Sequence, residues 1–220
     1  MPPPLLTALQ RRFRPLAGPS LSPQKLPTLR RSGPTEPEEP GGGRPKAWIA
    51  ARSVCRYRYF DLTDLPAADR LSALRAQLLA WQPFPSPLYR LDFFDGHVQA
   101  FAMDAEAVNA VPSGAAIWPE GLLHAAGTDG LRLVRCIEGV EGQCWAAGQL
   151  RASRWWRDEP SDTDWQAFCR AVQQPDVALP AAEELPWQRP VRPISGLEDL
   201  GQRLRGQERL LGGAESVLFW

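Results

Sequence analysis

Proline placement constrains this chain more than any other feature. The proline ring fixes φ and removes a backbone donor, so a proline cluster interrupts helices and sheet ladders alike. The chain carries 23 prolines, roughly twice the usual share, and they gather at two places. Pro2 to Pro4, Pro34, Pro37 and Pro40 share a first segment with the Gly41-Gly42-Gly43 run. Residues 1–45 are therefore expected to form a disordered tail, because they bury too little apolar surface to offset the entropy of ordering them. Their basic character reads as solubilising, with contact to anionic lipid or an acidic partner as the alternative. Pro175, Pro180, Pro186, Pro190 and Pro193 fall in a second segment. Residues 175–194 read as a linker or an extended strap.

The stretch between the clusters has the composition of a folded unit. The whole chain is 220 residues and 24.4 kDa with 44% hydrophobic residues, which suits one ordinary domain or two small lobes. Lys+Arg and Asp+Glu both number 25, a balance that argues against a dedicated nucleic-acid binder. No stretch approaches the 18 apolar residues of a membrane span. The N-terminus lacks the apolar core of a signal peptide. Its basic start reads as a flexible tail or an overextended start codon, with an organellar presequence as the alternative. At the other end, Ser216 to Trp220 is an apolar run. It reads either as the first turn of a membrane helix in a truncated frame or as a terminal cluster docked on the core.

Hydrophobic periodicity then places the elements. Lys46 to Ala50 and Cys55 to Leu62 read as strands, the second with Arg56 and Arg58 on one face and Tyr57 and Tyr59 on the other, a period of two. Basic-aromatic interleaving can mark a nucleic-acid surface, but a half-buried edge strand is the preferred reading. Asp64 is expected to cap a helix whose Leu71, Leu74, Leu78 and Trp81 form one apolar stripe. Asp95-Gly96 between aromatic-rich runs predicts a two-residue hairpin, and Asp104 a cap for a short helix through Val108. Ala115 to Trp118 and a turn at Pro119 to Leu123 open a second unit. Leu131 to Ile137, Gly142 to Ala146 and Gln149 to Trp156 read as a meander. A helix over about 163–173 puts Trp165, Phe168, Cys169 and Val172 on one face, and Ser195 with Glu198 makes a capping box for a last helix. The order is α+β: two small sheet-plus-helix lobes, 46–111 and 112–174, then the 175–194 linker and a C-terminal segment 195–220.

Chemical motifs are few. Neither G-x-x-x-x-G-K-[ST] nor G-x-G-x-x-G occurs, and there is no G-x-S-x-G or H-E-x-x-H. Two histidines, His97 and His124, exclude a multi-histidine metal site, so no catalytic, cofactor or metal residues are assigned. Either histidine is a candidate base, but a lone imidazole without a placed nucleophile reads as structural. The acidic pairs Asp92/Asp95, Glu138/Glu141, Asp158/Glu159 and Glu183/Glu184 all fall in expected turns or linkers, where solvation is expected to leave them inert. Cys55, Cys136, Cys144 and Cys169 form no C-x-x-C. Cys136 and Cys144 are symmetric about Val140 and are candidates to face each other across a hairpin, with free thiols the preferred reading. Trp155-Trp156 ends a strand, so one ring should point in and one out. The outward ring is a candidate partner anchor, with packing under the following helix as the alternative. Trp155, Trp156, Arg56, Arg58 and the outer face of the 65–81 helix are the candidate protein interface.

The order of phrases resembles a known family. Leu65-Pro66, a helix, Pro83-Phe84, a hairpin and a short capped helix are followed by Trp118-Pro119-Glu120 and a meander from Leu131 to Trp156. Over about residues 48–175 this is similar to the cytoplasmic actin-like assembly proteins of bacterial type II secretion systems and type IV pili. The resemblance implies a degenerate actin-like (ribonuclease H-like) fold at the cytoplasmic face of the inner membrane. It implies a non-enzymatic scaffold whose partners are an assembly ATPase or an inner-membrane component, with no nucleic acid and no cofactor. An Asp-Gly-rich phosphate hairpin is replaced here by Cys136 to Gly142, which argues against ATP hydrolysis. The alternatives are a small hydrolase using His97 or His124 with a carboxylate in a concave pocket, and a salt-sensitive contact to nucleic acid or lipid through the tail and Arg56/Arg58.

Overall fold

The computed structural model describes residues 26–35, 47–94, 96–112 and 115–188. Its architecture is α+β, with three sheets and three α-helices among the described residues. The first sheet grows around β3 (Ala47–Ala50), whose unbroken apolar run suits a strand covered on both faces. β3 lies parallel to both β1 (Thr28–Arg30) and β7 (Ala116–Pro119), and β2 (Gly33–Thr35) adds antiparallel to β1. The expectation of a featureless segment through residue 45 fails at residues 28–35. Leu29 is 1% exposed, and Ile49 and Ala51 donate backbone bonds to the carbonyls of Pro27 and Leu29. Local composition hid this strand because its partner is supplied from beyond the glycine run. Residues 1–25, 36–46 and 189–220, with the Ser195 capping box and the Ser216–Trp220 run, lie outside the described residues.

The second sheet follows the predicted pattern. β4 (Cys55–Asp61), β5 (Pro87–Phe94) and β6 (His97–Asp104) pair antiparallel in the order β4-β6-β5, so β4 is an edge strand. Phe94 faces His97 across the hairpin, and Gly96 takes φ +90, a backbone state that glycine adopts freely. α1 (Arg70–Trp81) lays Leu74 and Leu78 on Phe60, Val98, Ala100 and Leu91. The helix starts later than Asp64. Asp61 captures the Thr63 amide and hydroxyl, and Leu65 and Asp69 donate to Leu62 and Pro66 carbonyls, so the chain spends residues 62–69 in turns. Asp69 is the N-cap, without a side-chain bond. α2 (Ala105–Val108) is capped by Asp104 as expected, the carboxylate accepting from the Glu106 amide.

The meander forms the third sheet: β8 (Gly130–Arg135), β9 (Val140–Ala146) and β10 (Gln149–Trp156), in the order β10-β9-β8. Arg135 pairs with Val140, which centres the turn on residues 136–139 and sets Leu131, not Cys136, opposite Cys144. All four cysteines are free thiols. Gly139 takes φ +76, and a Cβ there would run into the Trp156 carbonyl. α3 (Asp162–Ala171), capped by Ser161, packs Trp165, Phe168 and Cys169 onto Leu133, Val140 and Cys144. The proline-rich segment after it behaves as a strap. Glu183 donates to the Leu133 carbonyl and accepts from the Arg135 amide at the edge of β8, and Gln188 donates to the Leu123 carbonyl. One core cluster, including Leu29, Trp48, Tyr57, Phe101, Trp145 and Leu150, draws on all three sheets.

Candidate functional site

The strongest concentration of chemistry lies where the three sheets meet, and its two carboxylates and the arginine between them are buried. Arg52 sits in a 3-10 turn (Arg52–Val54) between β3 and β4, and Glu120 in a 3-10 turn (Glu120–Leu122) directly after β7. Glu141 and Gln143 project from one face of β9, and Ser153 comes from β10. Arg52 is 1% exposed, and Glu120, Glu141 and Gln143 are 0% exposed.

The bonds close on themselves. Arg52 Nε meets Glu141 Oε1 at 2.7 Å, while its two terminal nitrogens donate to the Cys55 carbonyl at 3.0 Å and Ser153 Oγ at 2.7 Å. Ser153 Oγ also donates to Glu141 Oε1, and Gln143 Nε2 to Glu141 Oε2 at 2.9 Å. Gln143 Oε1 accepts from Trp145 Nε1 at 2.9 Å and Arg132 Nε at 2.8 Å. Glu120 binds no cation directly; its Oε2 accepts from the Arg52 amide at 2.8 Å and its Oε1 from the Ile137 amide. A buried charge left unpaired would cost several kcal/mol, so these contacts are what let the cluster exist.

Electrostatics divides the two carboxylates. Burial pushes Glu120 up to about 7, with Glu141 adding repulsion against the two amides that hold its charged form. Burial acts on Glu141 in the same direction but is outweighed by Arg52, His124 and the Ser153 and Gln143 bonds, so Glu141 stays below the usual carboxylate range. Arg52 is raised despite its burial, chiefly by Glu141. His124 follows the Glu120 turn, is 7% exposed, and packs edge-on against Trp187 of the strap at 5.1 Å. Burial lowers it to about 4, so the imidazole is neutral at pH 7. Its Nε2 lies 3.8 Å from Glu120 Oε1, too long for a hydrogen bond.

The sequence-predicted residues are scattered around this cluster. Arg56 lies between the rings of Phe84 and Trp155, at 5.4 and 5.6 Å, and donates to the Arg52, Ser53 and Cys55 carbonyls. Trp155 turns towards β4 and donates from Nε1 to the Glu138 carbonyl at 2.6 Å. Trp156 turns the other way and packs on Trp165 and Phe168 under α3. Arg58 is exposed, its guanidinium over Phe60. His97 is half-buried, its Nδ1 3.2 Å from the exposed Asp61, with Tyr59 stacked on the imidazole.

Glu138 and Glu141 do not form a solvated pair. Glu138 accepts from the Arg31 amide and the Ser32 and Ser53 hydroxyls, docking the meander turn on the β1–β2 turn. Glu141 is the buried anion of the cluster, because β9 begins at Val140 and carries it inward. Sequence reasoning missed Arg52, Glu120, Gln143 and Ser153. The available signal was Glu141, Gln143 and Trp145 alternating on one strand face, polar groups where an apolar inward face was expected. Two surface hollows stand out among the described residues. One, of about 460 Å³, is lined by Arg30, Arg31, Arg56, Phe84 and Asp104 among others; the second, of about 360 Å³, is lined by Arg135, Cys136, Arg157 and Glu159 among others. Neither is lined by a histidine. Among the described residues there is no group of three metal-ligating side chains, and no helix is long and apolar enough to cross a membrane.

No family model and no curated protein matches this chain. Among solved structures it is similar to the cytoplasmic domain of EpsL, an inner membrane component of the type II secretion system of Vibrio cholerae. That similarity has 11% identity and a TM-score of 0.38, over 79% of this chain and 78% of that one. It is also similar to a Bacteroides thetaiotaomicron protein of unknown function with an actin-like ATPase fold, at 11% identity and a TM-score of 0.36 over 58% of this chain. The chain spans about half (53%) of the Bacteroides protein's length.

Proposed function

We propose that this protein is a non-enzymatic scaffold of a secretion or pilus assembly platform, working at the cytoplasmic face of a bacterial inner membrane. The observation that carries the non-enzymatic part is how the junction uses its charges. Each oxygen of Glu120 and Glu141 already accepts a bond from this chain's own backbone or side chains. Such a cluster holds three sheets in fixed relation, which is what a scaffold needs and what a substrate site must leave open. The assignment to a secretion or pilus platform rests on the order of the Leu65-Pro66, Pro83-Phe84 and Trp118-Pro119-Glu120 phrases. The partner face is the stack of Phe84, Arg56 and Trp155 beside the 460 Å³ hollow, where aromatic and arginine side chains supply the anchors typical of interfaces.

The test is titration calorimetry of the full chain against the assembly ATPase of the secretion or pilus system encoded in the same genome. Micromolar binding, weakened about tenfold or more by Trp155→Ala, is expected for an anchor residue. Absence of binding, or steady ATP turnover by this chain alone, overturns the reading.

A further inference from the structure

The hollow of about 460 Å³ is lined by Arg30, Arg31 and Arg56, and among the described residues no carboxylate forms an ion pair with any of them. Arg30 ends β1, Arg31 follows it in the turn to β2, and Arg56 stands on β4. Arg30 is half-buried, and its Nε is buried with no hydrogen-bond acceptor. Arg31 is exposed, and Glu138 takes its backbone amide rather than its guanidinium. Arg56 is half-buried and donates from Nη1 to the neutral carbonyls of Arg52, Ser53 and Cys55. Burial lowers Arg56, and the positive charges of Arg52 and Arg31 lower it further, against the opposing pull of Cys55 and Asp104. Cations gathered in this way repel one another, and an added anion relieves them all at once.

The rest of the lining selects the kind of anion. Leu29, Val54, Phe84 and Ala107 add apolar surface, while Asp104 and Glu106 bring carboxylates from the start of α2. Phe84 and Trp155 bracket Arg56 and hold its guanidinium flat between them. A compact polyanion such as phosphate would meet the two carboxylates together with the arginines, and would leave the apolar lining wet.

We propose that this hollow docks an acidic peptide segment of the partner protein, glutamate or aspartate side by side with an apolar residue. The inference rests on the partner face assigned above and names the chemistry which that face selects. Carboxylates of the segment pair with Arg30, Arg31 and Arg56, where planar guanidinium and carboxylate groups match each other's geometry. Backbone amides of the segment donate towards Asp104 and Glu106, and its apolar side chain covers Leu29, Val54 and Phe84. The arrangement also explains why the chain keeps a guanidinium at Arg30 without an acceptor for its Nε, since such a group costs stability in the unbound protein.

The experiment is titration calorimetry of the full chain with a short peptide of glutamates and leucines. The same peptide with glutamine for glutamate, and inorganic phosphate, serve as the comparison probes. The acidic peptide is expected to bind at about 100 μM or tighter, with the glutamine peptide about tenfold or more weaker. Arg31→Glu, at an exposed position, should weaken the acidic peptide about tenfold or more. Arg30→Met should weaken it too, yet leave the urea unfolding midpoint unchanged or higher, a pairing that a merely structural arginine would not show. No binding, equal binding of the two peptides, or phosphate binding as tightly as the acidic peptide overturns the proposal. So does about tenfold tighter peptide binding when Glu36, Glu38 and Glu39 are all changed to glutamine, because the chain's own acidic stretch would then be the occupant. Binding of the assembly ATPase that survives Arg31→Glu unchanged sinks this inference and leaves the scaffold reading standing. Acidic-peptide binding without ATPase binding does the reverse.

Discussion

Replacing Arg52 by methionine isolates what the buried cluster contributes. Methionine keeps most of the aliphatic bulk but removes the cation, leaving Glu141 inside the protein with only Ser153 and Gln143 as donors and the Cys55 carbonyl without its Arg52 donor. Removing one member of a buried ion pair costs about 3–5 kcal/mol because the other charge stays behind. With a urea m-value of about 2 kcal/mol/M, a loss of about 4 kcal/mol lowers the unfolding midpoint by about 2 M. The companion variant Arg52→Met/Glu141→Leu removes both charges. It should recover at least about 2 kcal/mol of that loss, since an apolar replacement of a whole buried pair is often neutral. Arg52 is also the main cause holding Glu141 low against burial. In the single variant Glu141 should rise, so its deficit should shrink as pH falls and the carboxyl enters the fold protonated. Equilibrium urea titrations at pH 5 and pH 7 measure all of this. A single variant within about 1 kcal/mol of the parent, or a double variant as unstable as the single, would refute the brace.

Two opposed pH effects should meet at this junction. Glu120 is raised to about 7, so the unfolded chain releases its proton near the ordinary carboxyl value while the folded chain keeps it. That contribution is full below about 4.5 and is lost as pH rises to about 7, a swing of about 3 kcal/mol. His124 is lowered to about 4, so the unfolded chain takes a proton first as pH falls from about 6.5, and stability falls with it by a similar amount. Glu120→Gln should therefore expose stability that rises from pH 4 to 6.5, and His124→Gln stability that falls from pH 4.5 to 7; flat profiles in both contradict the assignment. Leu29→Ala should cost about 2–5 kcal/mol by opening the shared core, measured by thermal unfolding; a cost near zero would put residues 28–35 outside the cooperative fold. Trp156→Ala should cost about 3–5 kcal/mol through its packing under α3, and Trp155→Ala clearly less; the reverse order in denaturant titration would exchange their roles.

Local chemistry determined most of the elements. The Asp95-Gly96 turn, the Asp104 cap, the meander turn at Ala147-Gly148 and the α3 stripe of Trp165, Phe168 and Cys169 need only neighbours a few residues away, so alternation and turn residues suffice to place them. The α+β class follows from that order. What the sequence left open is set by partners far along the chain. Thr28–Arg30 becomes a strand because β3 accepts it, and the 175–188 stretch becomes a strap because β8 and Leu123 offer free backbone groups. Glu141 reads as half of a surface pair with Glu138, yet the hairpin turns at residues 136–139, ahead of the Val140 centre of symmetry, so β9 already includes Glu141 and carries it inward towards Arg52. Arg52 and Glu120, 68 positions apart, meet only after β3 and β7 pair in parallel. A charge is tolerated in a protein interior only when its partners are already in place. No local pattern announces that condition, so tertiary structure alone decided the site.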